Sequence, residues 1–248
     1  MNKIFDAVKQ TQSTYPALFS GVEETPWGML FYNPRNTLSV EANHGVLFAP
    51  CDYETALGEV GAYYKEKGVP PRLYCYVNPQ ELPALEQAAK EMGFSLTPSD
   101  LELLMCQTPA GKDVKSPLTF EVLTEWDAGI NEHIIGENLH LEGLLRGSMK
   151  HNTYRLIVGR LFGTPVTMAG LWDNNEVMRI SNVMTGEQFR GLGFGGALIT
   201  HVLSLASQTP KPVYLFANNP TAIRMYKRVG MEVVTPDFQL FTIELKEE

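Results

Sequence analysis

The stretch EQFRGLGFGGALITHVL, Glu187 to Leu203, carries four glycines within six residues. They are Gly191, Gly193, Gly195 and Gly196, directly after Arg190 and directly before an apolar run. A turn needs one glycine, or two. Four leave the main chain bare of Cβ atoms, so that something bulky can come close to the backbone. With a helix opening behind them, the chemistry on offer is the holding of phosphate oxygens by exposed amides and by the positive end of the helix.

Three arrangements place glycines in this way, and the neighbouring residues separate them. A nucleotide phosphate loop needs G-x-x-x-x-G-K-[ST], and no such lysine follows here. Gly191 to Gly196 does satisfy G-x-G-x-x-G, but the next strand, KPVYLFANN, ends in asparagine and carries no acid for a ribose. Too little chain remains for the rest of a dinucleotide domain, so a nicotinamide-dependent oxidoreductase is the weakest reading. The third arrangement is the pyrophosphate loop of acyl-CoA-dependent N-acyltransferases. QFRGLGFGGALI resembles the Q/R-x-x-G-x-G/A signature of the GNAT superfamily, with Gln188, Gly191 and Gly193 at its fixed positions. NVMTGEQFRG resembles the bulged strand that leads into that loop. NNPTAIRMYKRVGM resembles the second signature, N-x-x-A-x-x-x-Y-x-x-x-G-[FM], through Asn219, Ala222, Tyr226, Gly230 and Met231. The resemblance covers roughly 118–248 and is sharpest from 178 to 231.

The resemblance implies a fold, a co-substrate and a set of roles. The fold is a mixed, mostly antiparallel sheet flanked by helices. The co-substrate is acetyl-CoA, with no metal. Its pantetheine arm would pair with backbone groups of Asn182, Val183 and Thr185 in a gap between splayed strands, and an amide near Val183 would meet the thioester carbonyl. Gln188, Arg190, Gly191, Gly193, Phe194, Gly195 and Gly196 would hold the pyrophosphate. Asn219 would cap its helix or hold the pantetheine amide. Tyr226 would protonate the departing thiolate; as a residue of an amphipathic helix it also reads as a core aromatic. The acceptor is a primary amine of a small molecule or peptide, attacking directly. Glu176, at the entry to VMRISNV, stands near where some relatives carry a general base; it also reads as a solvated turn residue after DNN. His133, His140 and His151 fall in the segment that would cover the acceptor side and read as surface histidines. A non-catalytic acyl-CoA-binding sensor that kept the loop is the alternative to an enzyme.

Residues 1–110 match no signature, yet the halves share a plan. LYCYVNPQELPALEQAAKEMGFSL and VYLFANNPTAIRMYKRVGMEVV both run aromatic-rich strand, Asn-Pro turn, helix, glycine, strand. Hairpins mixed with helix crossovers give an α/β (α+β) protein. The polar segment TPAGKDVKSP, 108–117, reads as a linker between an N-terminal domain, 1–112, and a second domain, 118–248. The first is a degenerate copy in this reading, without the glycine stretch. It would shape the acceptor pocket, extend the sheet or make a homodimer contact. EWDAGINEHIIGENLHLEG has helical periodicity.

Composition bounds the rest. Of 248 residues, 44% are hydrophobic and 19% charged, enough for a packed core. The net charge of −8 argues against a nucleic-acid partner. The three cysteines, Cys51, Cys75 and Cys106, have no metal-ligand spacing, and none sits where a covalent acyl-enzyme is suggested. The N-terminus is too polar for a signal peptide and no apolar run reaches membrane-spanning length, so a cytoplasmic location is expected.

Overall fold

The computed structural model describes residues 3–113 and 115–246; Val114, in the middle of the expected linker, lies outside them. The elements run α1 (Lys3–Thr14), β1 (Gly21–Thr25), β2 (Gly28–Tyr32), β3 (His44–Leu47), α2 (Tyr53–Glu66), β4 (Arg72–Val77), α3 (Leu82–Glu91), β5 (Phe94–Pro98) and β6 (Glu102–Cys106). They continue with β7 (Thr119–Val122), α4 (Leu139–Ser148), β8 (Tyr154–Leu161), β9 (Thr164–Asn174), β10 (Val177–Thr185), α5 (Phe194–Ala206), β11 (Val213–Ala217), α6 (Pro220–Arg228), β12 (Glu232–Val234) and β13 (Gln239–Leu245). This is the mixed α/β architecture expected from the sequence.

Two sheets form, with the orders β1-β2-β3-β4-β13-β5 and β12-β6-β11-β10-β9-β8-β7. Each holds one parallel pair, β3 with β4 and β10 with β11, and is otherwise antiparallel. A helix crossover joins the strands of each parallel pair, as a parallel connection requires. The shared plan of the halves is therefore a shared topology: β2-β3-β4 and β9-β10-β11 occupy matching places.

The compact units do not follow the halves 1–112 and 118–248. One comprises residues 13–100 together with the chain from Pro236; the other comprises α1 up to Gln12 and residues 101–235. The reason is a reciprocal exchange of strands. Crossover helix α3 sets β5 one strand away from β4, and β13 fills that space, antiparallel to both. In the other sheet β6 fills the space between β11 and β12 in the same way. Each unit thus takes one interior strand from the far end of the other's sequence.

The unit built on β7–β12 carries the glycine stretch. Its core lies between the sheet and α5, where Leu198, Ile199, Val202, Leu203 and Ala206 meet Ile157, Ala169, Leu171, Met178, Ile180, Val213 and Leu215. Leu198, Val202 and Ala206 recur every four residues, so one stripe of α5 is buried. EWDAGINEHIIGENLHLEG is not one helix. A π-helical turn at Asn131–Ile135 ends at Gly136, whose φ of +63° is left-handed. α4 then starts afresh with Asn138 accepting from the Leu141 amide at 3.0 Å.

Candidate functional site

The site begins with a defect in β10. Ser181 pairs with Gly170 and Met184 with Met168, so Asn182 and Val183 stand opposite Ala169 alone. The extra residue makes a bulge, with Asn182 at φ +50° in the left-handed region that asparagine tolerates better than most side chains. Thr167 fixes the strand beyond it, its hydroxyl donating to the Met184 carbonyl at 2.9 Å.

Next to the bulge the sheet opens. β10 and β11 pair only at Met178 with Val213 and Arg179 with Tyr214, although β10 runs on to Thr185 and β11 to Ala217. Past that point their backbone groups are not joined. The gap leads into a depression of about 550 Å³, lined among others by Val183, Thr185, Arg190, Phe194, Asn219 and Tyr226. That is within the usual range for small-molecule sites, about 300–1,000 Å³.

The glycine stretch forms the other wall. Gly191 and Gly193 have φ of +78° and +81°, and a Cβ on either would meet nothing within 4 Å. Packing does not require these two glycines; backbone conformation does. A Cβ on Gly195 would stand 3.5 Å from the Thr185 hydroxyl, and one on Gly196 3.6 Å from Met225, both ordinary contacts. The protein itself has room for alanine at these two positions, so their bareness serves the depression they line. The amides from Gly191 to Gly196 have no acceptor among the described residues, and α5 has no side-chain cap. Open donors, the positive end of α5 and the exposed Arg190, whose Nε donates to the Thr185 carbonyl at 3.3 Å, fit an anionic diphosphate.

The corresponding place in the other unit lacks this chemistry. There α2 opens with Asp52, which accepts from the Thr55 amide at 3.1 Å and the Thr55 hydroxyl at 2.8 Å. These bonds hold the Asp52 carboxyl below the ordinary carboxylate range, and Glu54 adds a second negative charge. A capped, anionic helix start repels phosphate.

α6 supplies the remaining wall. Asn219 Oδ1 accepts from the amides of Thr221 and Ala222 at 2.9 and 3.2 Å, so its side-chain oxygen is committed to the helix cap. Tyr226 lies about two helical turns further on and is 5% exposed. Burial pushes its phenol up to about 12, and its hydroxyl hydrogen-bonds to no described residue. It is both part of the core, as an amphipathic helix suggests, and a lining residue of the depression.

Of the residues singled out from the sequence, the structure brings Val183, Thr185, Arg190, Gly191, Gly193, Phe194, Gly195, Gly196, Asn219 and Tyr226 to this depression. Asn182 sits beside it in the bulge, and Gln188 is exposed on the turn before it, lining neither wall. Glu176 is not part of it. It is exposed at the β9–β10 turn, on the order of 20 Å along the strand from Val183, and lines a separate groove against Lys3, Asp6 and Gln10 of α1. Turn geometry explains the difference: Asn175, at φ +45°, reverses the chain at the end of the strands remote from the bulge. Met184, Phe189, Thr221, Ala222 and Met225 also line the depression and were not singled out as site residues. Ala222 was legible in principle, since it precedes Tyr226 by four residues on one face of the same helix. No cluster of metal-ligating side chains occurs among the described residues. No helix among them is long and apolar enough to cross a membrane.

Comparison with known proteins bears on this geometry. Residues 122–231 match the model of the acetyltransferase (GNAT) family. No curated protein matches the chain. Among solved structures, a GCN5-related N-acetyltransferase from Kribbella flavida is similar at 16% identity and a TM-score of 0.69, covering 98% of this chain and 95% of its own. One from Sphaerobacter thermophilus is similar at 17% identity and 0.56, covering 92% and 83%. A tandem GNAT protein from the clavulanic acid biosynthesis pathway is similar at 12% identity and 0.55, covering 98% and 88%. At such identities the likeness concerns the fold, and it extends over both units. The bulged strand, the open amides and the capped α6 all lie within the segment 122–231 that matches the acetyltransferase (GNAT) family model.

Proposed function

We propose that the protein transfers the acetyl group of acetyl-CoA to a primary amine of a small molecule or peptide, by direct attack. The observation that carries this reading is the run of unsatisfied amides from Gly191 to Gly196 beside strands that part. Acetyl-CoA supplies an activated acyl thioester. Gly191, Gly193, Gly195, Gly196 and Arg190 hold the diphosphate, Phe194 packs below it, and Gln188 stands at the rim. Backbone groups of Asn182, Val183 and Thr185 take the place of the missing strand neighbour for the pantetheine amides. The Val183 amide stabilises negative charge developing on the thioester oxygen. Tyr226 stays protonated in its buried setting and gives its proton to the leaving sulfur. Asn219 keeps the start of α6 in place through its cap.

Cysteine plays no part in this reading. Burial raises the thiols of Cys51, Cys75 and Cys106, so none is an activated nucleophile. No carboxylate or histidine lines the depression either. The amine therefore arrives neutral or loses its proton outside it.

The test is CoA release, followed with a thiol reagent, over polyamines, amino acids, aminoglycosides and peptide N-termini. An enzyme releases CoA with at least one class, and Tyr226→Phe slows that release while CoA binding is kept. A non-catalytic acyl-CoA sensor binds CoA and releases none. Stabilisation by NAD(P) and not by CoA in a thermal-shift titration would contradict both.

A further inference from the structure

Two threonine hydroxyls meet where β9 and β10 make their last register pair beyond the bulge, Thr167 with Thr185. Thr167 is 0% exposed and Thr185 half-buried. The Thr167 hydroxyl has one proton. It goes to the Met184 carbonyl at 2.9 Å, because a carbonyl can only accept. The same oxygen lies 2.9 Å from the Thr185 hydroxyl. With the Thr167 proton spent, Thr185 must be the donor of that second bond. The order of donation is therefore fixed, from Thr185 to Thr167 to Met184. Thr185 Oγ1 keeps its lone pairs, has no proton left to offer, and receives a bond from no described residue.

The fold accounts for one of these hydroxyls. Thr167 holds the Met184 carbonyl next to the bulge. Thr185 adds nothing to that bond, and valine in its place would suit a strand as well. Its position points to a ligand. Val183 and Thr185 alternate onto one face of β10, and both line the depression. Thr185 Oγ1 stands 3.5 Å from the place of a Gly195 Cβ, beside the bare first turn of α5. The loop and that turn offer donors: open amides and Arg190. An acceptor set against them marks where the anionic part of a ligand ends.

We infer that Thr185 selects the pantoyl hydroxyl of CoA, and that Thr167 is the positioning residue that makes Thr185 an acceptor; this rests on the acetyl-CoA reading above. The covalent order of the coenzyme singles out that group. From the diphosphate towards the thiol come a methylene and a dimethyl carbon, and then the pantoyl hydroxyl, the first hydrogen-bond donor of the arm. The amide N–H groups come later. Thr185 Oγ1 accepts from the pantoyl hydroxyl. It repels a phosphate oxygen, which has only lone pairs to present, and so fixes how far the diphosphate slides along the gap. No bond is made or broken.

The experiment is calorimetric titration of the full chain with CoA and two analogues, in which the pantoyl hydroxyl is replaced by hydrogen or oxidised to a ketone. The wild type is expected to bind CoA at least fivefold more tightly than either. Thr185→Val should bind CoA and the hydrogen analogue alike, its affinity for that analogue staying within twofold of the wild type. Thr185→Ser, which keeps a hydroxyl, should keep most of the preference. Thr167→Val frees the Thr185 proton to turn to the ligand, so the ketone should gain at least threefold relative to CoA. Equal binding of CoA and the hydrogen analogue by the wild type, or a preference that survives Thr185→Val, would overturn the inference and leave CoA binding in place. A ketone that gains nothing in Thr167→Val would overturn the part given to Thr167. A wild type that binds none of the three would overturn the acetyl-CoA reading, and this inference with it.

Discussion

Tyr226 combines two demands that usually conflict. It is packed among the apolar residues of α5 and β11, and it also lines a depression. Burial disfavours the phenolate, which raises its pKa to about 12. The folded value lies above the unfolded value of about 10, so the stability it contributes is complete below pH 10 and is lost as pH rises towards 12. For activity, the acid form persists through the neutral and mildly alkaline range. The pH profile of kcat/KM should therefore rise as the amine deprotonates and show no descending limb below about pH 10. Tyr226→Phe should lower kcat by about 10²–10⁴-fold with CoA affinity within twofold, measured by CoA release and calorimetry. Tyr226 was legible because four fixed positions of one signature surround it. Glu176 lies away from the depression for an equally local reason. It precedes β10, whereas the bulge read from NVMT opens the sheet at the strand's other end.

The loop and helix α5 act as one element. Gly191 and Gly193 are there for their left-handed backbone, Gly195 and Gly196 for the space they leave. The two pairs should respond differently. Gly193→Ala forces an L-residue into a left-handed conformation, at a cost of about 1–2 kcal/mol. Gly195→Ala adds a helix-favouring residue in the first turn and should raise stability by about 0.5–1 kcal/mol. Both should weaken CoA binding at least tenfold. Denaturant melts with CoA titrations separate the two effects; a Gly195→Ala protein that binds CoA normally would remove that glycine from the site. The extents of α5 and α6 followed from periodicity, Asn219, Pro220 and Gly230. The break between the π-helical turn and α4 did not, although Gly136 and Asn138 mark it. A helical pattern continued across both, and only the left-handed turn at Gly136 shows that the chain changes direction.

Across the whole molecule the exchanged strands decide what can be separated. β6 gives five register pairs to β11 and β13 gives six to β4. A fragment of residues 118–248 lacks β6, so β11 and β12 would face each other across an empty strand position. It also carries β13 with no sheet to enter. Such unpaired edges template aggregation. The fragment should be insoluble or lose CoA binding, as read by size-exclusion chromatography and thermal shift; a soluble monomer that binds CoA would contradict the exchange. The alternation in FQLFTIEL announces β13, and LELLMCQ announces β6. Neither sequence names its partner. That choice is made by contacts remote along the chain, such as Ser95 Oγ donating to the Glu244 carbonyl at 3.1 Å. The linker reading of 108–117 followed from composition, but strand β6, which immediately precedes it, already belongs to the unit that carries the glycine stretch.

The central claim is that bare main chain from Gly191 to Gly196 binds the diphosphate of CoA. Calorimetric titration of the full chain with CoA and with pantetheine, which has the same arm and no diphosphate, tests it most directly. The account predicts that CoA binds at least about a hundredfold more tightly, and that Gly193→Val closes most of that difference. Equal affinity for the two ligands, or a CoA affinity indifferent to Gly193→Val, would contradict it.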